Sequence, residues 1–433
     1  MNMVVLPSAK DRPMSRRYRG GGWVRFLVRT RYQVALGLLV AVLLPAVLRT
    51  PLHFLDIQVQ SASRTLIGTT IAVLLGAYFV KRITIYPGGH TPFYAVPAFA
   101  SAFALVIMLF FFFRIDYSRI QFLLSFALAV TYFFLVLRLE RRALRQHYLV
   151  LPFGGAPALA DLDGADWDIA GAPDSSLAGF SAVAADLRSD MPPEWERMIA
   201  TAALRGVPVY HWKQLAESLT GRVTIEHLSE NNFGSLMPSS LYLRFQRLGD
   251  IVITILTLPL TALLIGAGAL IIKLTEGGPV LFRQQRVGYR GEVFTVIKLR
   301  TMREGAHEGH AFTEADDPRI TPLGRWLRRY RVDELPQIVN ILRGEMSWIG
   351  PRPEAVPLSK WYESQIPFYS YRHIVRPGIT GWAAVNQGNV ARLEAATGKL
   401  QYDFYYIKHF SLWLDLLIVA KTLRTIATGF GAR

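Results

Sequence analysis

At 433 residues the chain has room for two or three domains, and with 51% hydrophobic against 18% charged residues it is too apolar for an ordinary soluble enzyme. Its formal charge of +16 sits largely in arginines that flank apolar runs (Arg16, Arg17, Arg19, Arg25, Arg29, Arg31; Arg138, Arg141, Arg142, Arg145). This placement suits anionic lipid and phosphorylated substrates, and speaks against nucleic acid, whose binders spread basic residues over a polar domain. The lack of cysteine excludes disulfides, thiolate zinc sites and cysteine nucleophiles.

In chain order, a basic tail (1–31) is too long and too charged ahead of its first apolar run to be a cleavable signal. Four apolar runs follow at 32–48, 65–80, 93–113 and 120–137, near the length of about 20 residues that a bilayer span needs. Pro45 interrupts the first of them. The arginines before the first run and after the fourth put both ends of this region (32–146) on the cytoplasmic side. The alternative is a set of core helices in a soluble protein, which four successive runs disfavour.

From His147 the composition turns polar. Strand patterns at 147–151 and 207–211 and helix patterns at 194–204 and 212–219 predict a small α/β Rossmann-like domain over 147–232, on the cytoplasmic side. It has neither GxGxxG nor a P-loop, so its expected role is structural or regulatory.

A fifth apolar run spans 251–272, between Asp250 and Lys273. Length alone makes it another crossing. Pro259 near its middle, with Gly266 and Gly268 beyond, predicts a bend, with Thr257 and Thr261 available for the carbonyls that it frees. Strand-like runs around a Gly288–Gly291 turn then predict a hairpin that gathers Arg283, Arg286, Lys298 and Arg300, a phosphate site or merely a solvated face.

The segment RVDELPQIVNILRGEMSWIGPRPE (331–354) predicts a short amphipathic helix, with Leu335, Ile338, Ile341 and Leu342 on one side and Gly344 as its stop. Asp333 and Glu334 fall at its N-terminus and have two readings. They are a cap and a dipole partner, or a nucleophile beside a ligand for a divalent cation. Arg376, before the Pro377-Gly378 turn, is either a phosphate contact or a surface ion pair. Residues 404–425 predict an amphipathic helix at a membrane interface, with a soluble core helix as the alternative. His307, His310 and His373 lack metal-ligand spacing.

Six motifs occur in one order: Arg247-Leu248-Gly249-Asp250, GPVLFRQQRVG (278–288), Lys298-Leu299-Arg300-Thr301-Met302, Asp333-Glu334-Leu335-Pro336-Gln337, Gly350-Pro351-Arg352-Pro353 and Arg376-Pro377-Gly378-Ile379-Thr380-Gly381-Trp382. In these the chain, over about 246–431, resembles the bacterial sugar transferases, the large monotopic polyprenyl-phosphate phosphoglycosyl transferases. The resemblance implies a mixed α/β monotopic catalytic domain (240–433) at the cytoplasmic face of the bacterial inner membrane. Its apolar run would be a re-entrant membrane helix (250–273) broken at Pro259, and the four transmembrane helices and the α/β domain would be accessory. It implies Mg2+ as cofactor, a UDP-sugar donor (glucose or galactose by analogy) and undecaprenyl phosphate as acceptor, with membrane lipid as a partner and room for a homo-oligomer. Asp333 would attack the β-phosphate and release UMP, and Glu334 would ligate Mg2+. Lys298, Arg300, Arg352 and Arg376 would meet phosphate oxygens. Such enzymes begin exopolysaccharide, O-antigen or capsule repeat units. The chain departs from the family pattern at Leu258, where Ser is usual, at Glu345, where Asp is usual, and at Ala384 and Gln387. Transport or scaffolding, and glycosyl transfer with release of UDP, are the competing functions; the few ionisable residues in the spans argue against a transport pathway.

Overall fold

The structure, a computed structural model, describes residues 29–49, 59–87, 92–143, 146–224, 238, 240–303, 317–387 and 393–428. Most of the basic tail, His307 and His310 lie outside the described residues. The chain divides into two compact units after Gly221.

The first unit opens with four apolar helices, α1 (Thr30–Leu48), α2 (Val59–Ile83), α3 (Ala95–Phe112) and α4 (Arg119–Ala143). Within α1, Leu39–Leu43 is π-helical just ahead of Pro45. Proline has no N–H to offer the Ala41 carbonyl four residues back, and that carbonyl accepts the Ser125 hydroxyl of α4 instead. Small residues allow the helices to approach closely: a Cβ on Gly68 would lie 2.2 Å from the Phe110 ring, and one on Gly76 would lie 2.4 Å from Phe99. The opposite surfaces leave apolar side chains uncovered, with Phe111 86% and Leu123 65% exposed, as suits hydrocarbon rather than water. With the long helix of the second unit, five helices among the described residues are long and apolar enough to cross a membrane. These mark a membrane protein.

Strands β1 (His147–Val150), β2 (Asp166–Ile169), β3 (Ala182–Ala185) and β4 (Val209–His211) form a wholly parallel sheet in the order β2-β1-β3-β4. Its helices are α5 (Pro193–Leu204) and α6 (Trp212–Thr220). The order is that of doubly wound sheets, but β1 and β2 are joined by a 3-10 turn and only β3 and β4 by an α-helix. Strands β2 and β3 were not apparent in the sequence: β2 is Asp-Trp-Asp-Ile, too polar for a core strand, and β3 is mostly alanine, a poor strand former. At the carboxyl ends of β1 and β3, where such sheets admit ligands, the chain fills its own crevice. Asp186 accepts from Gly155 N–H at 3.0 Å and from the Trp212 indole N–H at 3.1 Å.

In the second unit, α7 (Ser240–Thr275) runs helically through Pro259. Thr257 and Thr261 donate to the carbonyls of Ile253, Thr254, Thr257 and Leu258, not to that of Ile255, which the proline deprives of an N–H. Both ends of its apolar stretch pack on the same body. Near one end, Asp250 accepts from the Ser347 hydroxyl and Trp348 N–H (3.0 and 3.1 Å), and the Trp348 indole donates to Thr254 (3.0 Å). Near the other, Ile272 is fully buried with Leu299 and Leu327. Between them Leu256, Leu260 and Leu263 stand out, each more than 60% exposed.

The hairpin is as predicted: β5 (Leu281–Val287) pairs antiparallel with β6 (Val293–Leu299) around Tyr289–Gly291. Next come α8 (Pro322–Arg329), a 3-10 turn (Val332–Gln337), α9 (Ile338–Arg343), β7 (Ser347–Ile349), α10 (Val356–Gln365), a 3-10 turn (Tyr369–Ile374), β8 (Gly378–Thr380) and α11 (Trp382–Asn386). Strand β7 pairs in parallel with β8. Their crossing requires glycine: a Cβ on Gly378 would lie 2.1 Å from Gly350 N, and one on Gly381 would lie 2.1 Å from the Gly350 carbonyl oxygen. This contact couples two motifs that are well separated in sequence. The predicted interface helix over 404–425 is two helices, α12 (Leu393–Lys408) and α13 (Leu412–Thr428). Its apolar face is internal, with Leu414, Leu417 and Ile418 fully buried, so the core alternative holds for that face.

Candidate active site

Three segments converge on the carboxylate pair. Asp333 and Glu334 lie in the 3-10 turn, Lys298 is near the end of β6, and Arg352 follows β7. Arg331, held in the left-handed region at φ 55°, starts the turn. Pro336 within the turn has no N–H to donate back along it. Asp333 and Glu334 are 7% and 4% exposed, which matters because buried carboxylates need compensation.

Only one of the two carboxylates has it in hydrogen bonds and ion pairs with described residues. Glu334 receives both arms of the Arg352 guanidinium, through Nη2 on Oε1 and through Nη1 on Oε2 at 3.2 Å. Lys298 Nζ lies 3.4 Å from Oε1 and Arg331 Nη1 lies 3.7 Å from Oε2. Burial pushes the Glu334 carboxyl up, but Arg352 and Lys298 outweigh it and hold the group well below the usual range. Asp333, by contrast, accepts no hydrogen bond from a described residue and caps nothing, so the cap reading fails. Burial and the neighbouring Glu334 charge raise its carboxyl to about 6, against the pull of Lys298, Arg352 and Arg328. Burial lowers the Lys298 ammonium to about 8, with Glu334 opposing. The pair thus comprises one firmly ionised carboxylate held in place and one whose charge is disfavoured by burial, a separation that acid–base and nucleophilic sites exploit.

Arg328 and Arg331 were not singled out in the sequence. Arg328 donates to the Thr301 hydroxyl at 2.9 Å and its charge acts on Asp333. Their proximity to the Asp-Glu motif was the only signal, one shared with Arg325 and Arg329. The site does not include all the predicted cations. Arg300 is buried, and its Nη2 donates to the Gly277 carbonyl at 2.5 Å, with Glu276 at 3.9 Å. Arg283 is exposed, on the hairpin face opposite Lys298. Arg376 donates through Nε to the Gly344 carbonyl at 3.0 Å and lies over the Tyr289 ring. Arg247 donates to the carbonyls of Ile341 and Leu342. These two arginines therefore serve the carbonyls at the end of α9, the helix that follows the carboxylate turn. Arg376→Ala is expected to cost about 1–2 kcal/mol of stability, from one charged hydrogen bond and one ring contact. Donor KM should change less than about threefold if the guanidinium serves only α9 and the Tyr289 ring, whereas a larger rise would mark a phosphate contact; thermal melting and initial rates measure both. His373 is buried, and burial lowers its imidazole to about 4.

Among the described residues no group of three His, Cys, Asp or Glu side chains gathers to hold a metal. Mg2+ often uses only one or two carboxylates and completes its shell with water and substrate phosphates. Asp333 and an unshared lone pair of Glu334 meet that requirement, so the residues fit such an ion. With Lys298, Arg328, Arg331 and Arg352 around two carboxylates, the protein's own charge favours a cation only when it arrives with a polyanionic substrate.

Residues 241–429 match the family model for bacterial sugar transferases. A UDP-N-acetylgalactosamine-undecaprenyl-phosphate N-acetylgalactosaminephosphotransferase of Aeromonas hydrophila is 43% identical over 92% of this chain and 95% of its own length. UDP-glucose:undecaprenyl-phosphate glucose-1-phosphate transferases of Xanthomonas campestris pv. campestris and Caulobacter vibrioides are 46% and 42% identical over 35% and 42% of this chain, and 32% and 70% of their own lengths. The last two matches cover less than half of this chain, whereas the first includes its N-terminal helices and α/β domain as well. The chain therefore belongs to the bacterial sugar transferase family and is an enzyme of the sugar-phosphate transferase class.

Proposed function

We propose that this enzyme moves a sugar-1-phosphate from a UDP-sugar to undecaprenyl phosphate through a covalent intermediate on Asp333. The observation that carries the reading is the asymmetry of the carboxylates: Glu334 is held by Arg352 and Lys298 while Asp333 accepts no hydrogen bond from a described residue. An Asp333 oxygen attacks the β-phosphorus, the bond from that phosphorus to the bridging oxygen breaks, and UMP departs. An oxygen of undecaprenyl phosphate then attacks the same phosphorus and frees the carboxylate. Lys298 and Arg352, already held beside the carboxylates, would offset charge that accumulates on the phosphate oxygens. Glu334 and Asp333 would hold Mg2+, which when bound neutralises the diphosphate oxygens.

The anchoring of both ends of the apolar stretch of α7 on one body supports a helix that enters and leaves the same leaflet. A crossing helix has its ends on opposite sides of about 30 Å of hydrocarbon. The basic flanks of the four N-terminal helices favour the cytoplasmic face of the inner membrane. The exposed Leu256, Leu260 and Leu263 would then lie in lipid, bringing the acceptor's phosphate to the carboxylates. The near full-length relative makes UDP-N-acetylgalactosamine the first donor to test, ahead of UDP-glucose, the donor named for relatives matched over the catalytic part.

The test incubates the purified protein with Mg2+, undecaprenyl phosphate and UDP-N-acetylgalactosamine, UDP-glucose or UDP-galactose. We expect release of UMP, and without acceptor a phosphosugar adduct on the peptide containing Asp333. Release of UDP would indicate glycosyl transfer instead; no nucleotide release from any donor would favour a scaffolding role.

A further inference from the structure

We infer that Arg372 is a positioning residue, which holds the main chain of Arg352 so that its guanidinium meets Glu334. This rests on the phosphoryl-transfer reading above.

Residues 351–354, which carry Arg352, have no regular secondary structure. Pro351 and Pro353 on either side of Arg352 have no N–H, so the loop can be anchored mainly through its carbonyls. Three in succession are anchored. Pro351 accepts from Gly378 N–H at 3.0 Å, Arg352 from Arg372 Nη2 at 2.8 Å, and Pro353 from Arg286 Nη1 at 2.6 Å. The middle contact is the one on the residue whose side chain reaches Glu334.

Arg372 is itself 3% exposed, and such a guanidinium is costly unless all its donors are matched. Its Nε and Nη2 donate to Asp403 Oδ2 at 3.1 and 2.8 Å, and its Nη1 donates to the Tyr369 hydroxyl at 2.7 Å. Asp403 lies on α12 at 1% exposure, and Lys399, one turn earlier, meets Glu354. Arg372 is therefore oriented by a buried carboxylate and a hydroxyl, with its remaining direction on the Arg352 carbonyl. The arrangement depends on a planar fork with donors at fixed angles, which lysine lacks. Arg372 also faces Glu354 at 4.0 Å, but none of these groups contacts Asp333 or Glu334, and the Arg352 carbonyl is its one hydrogen bond to the residue that reaches Glu334.

The experiment is a double-mutant cycle on the full chain. Arg372→Lys keeps the charge and loses the fork, and is expected to lower kcat/KM for the donor by about 10–100-fold, the scale of a misplaced catalytic group. In an Arg352→Lys background the same change should cost less than about threefold, because the group it positions is already altered. Tyr369→Phe removes one acceptor at nearly constant volume and should give a loss of about threefold that also vanishes in that background. A structural role would lower the melting temperature and lower the rate equally in both backgrounds. Equal factors in the two backgrounds overturn the inference, as does full activity of Arg372→Lys. Should Arg372→Lys fail to fold, Tyr369→Phe decides alone, and full activity or equal factors overturn the inference. If Arg352→Lys alone is fully active, the site reading fails and the positioning role with it. A slow Arg352→Lys with additive second changes defeats only the positioning role.

Discussion

Replacing Asp333 with Asn is expected to abolish turnover and adduct formation while raising the melting temperature at pH 8. Burial and the adjacent Glu334 hold the Asp333 carboxyl at about 6, above its ordinary 3.8. The native state therefore binds this proton more tightly than the unfolded chain. Stability falls as pH rises from about 4 to about 6, and the deficit persists above that window. A neutral amide of the same shape removes the cost of the buried charge, on the order of 1–3 kcal/mol, or several degrees for a domain of this size. The same elevation predicts that kcat/KM of the wild type rises with pH to a plateau above about 6, because only the carboxylate is a nucleophile. Thermal melting at pH 5 and pH 8 and the pH–rate profile test both parts. An active Asn variant would sink the nucleophile, and one less stable than wild type at pH 8 would sink the account of the strained charge.

Glu334→Gln should have the opposite effect on stability. Its carboxylate is the anion among Arg352, Lys298 and Arg331. An amide leaves those buried cations facing one another, a loss of the kind that costs about 3–5 kcal/mol. Lys298, already lowered to about 8 by burial with Glu334 resisting, would lose its proton more readily still. Activity should fall with stability, since the cations around the carboxylate pair lose their common anchor. Chemical denaturation of the two neighbouring variants side by side is the measurement. Stability changes of the same sign in both would contradict the division of roles between the two carboxylates.

Features set by short-range pattern were legible in the sequence. The apolar runs appear as α1 to α4 and α7, because a helix or a bilayer span depends on composition over about 20 contiguous residues. The hairpin around Gly288 and Gly291 followed from strand alternation and a turn, and Asp333 and Glu334 were found with Lys298 and Arg352 because their motifs are compact. Strands β2 and β3 escaped because an alanine-rich strand is a strand only by virtue of its neighbours. The burial of α13 could not be told from membrane contact, since both need the same apolar face. Above all, only the tertiary structure decided which arginines serve the site. A guanidinium on a long flexible stem goes to whichever oxygen lies within reach in space. Arg376 found the end of α9, Arg300 the Gly277 carbonyl, and Arg328 and Arg331 the carboxylate turn. The adjacent Asp333 and Glu334 are chemically near-equivalent in sequence, and only the packing of Arg352 and Lys298 onto Glu334 distinguishes a carboxylate with ion-pair partners from one that accepts no hydrogen bond from a described residue.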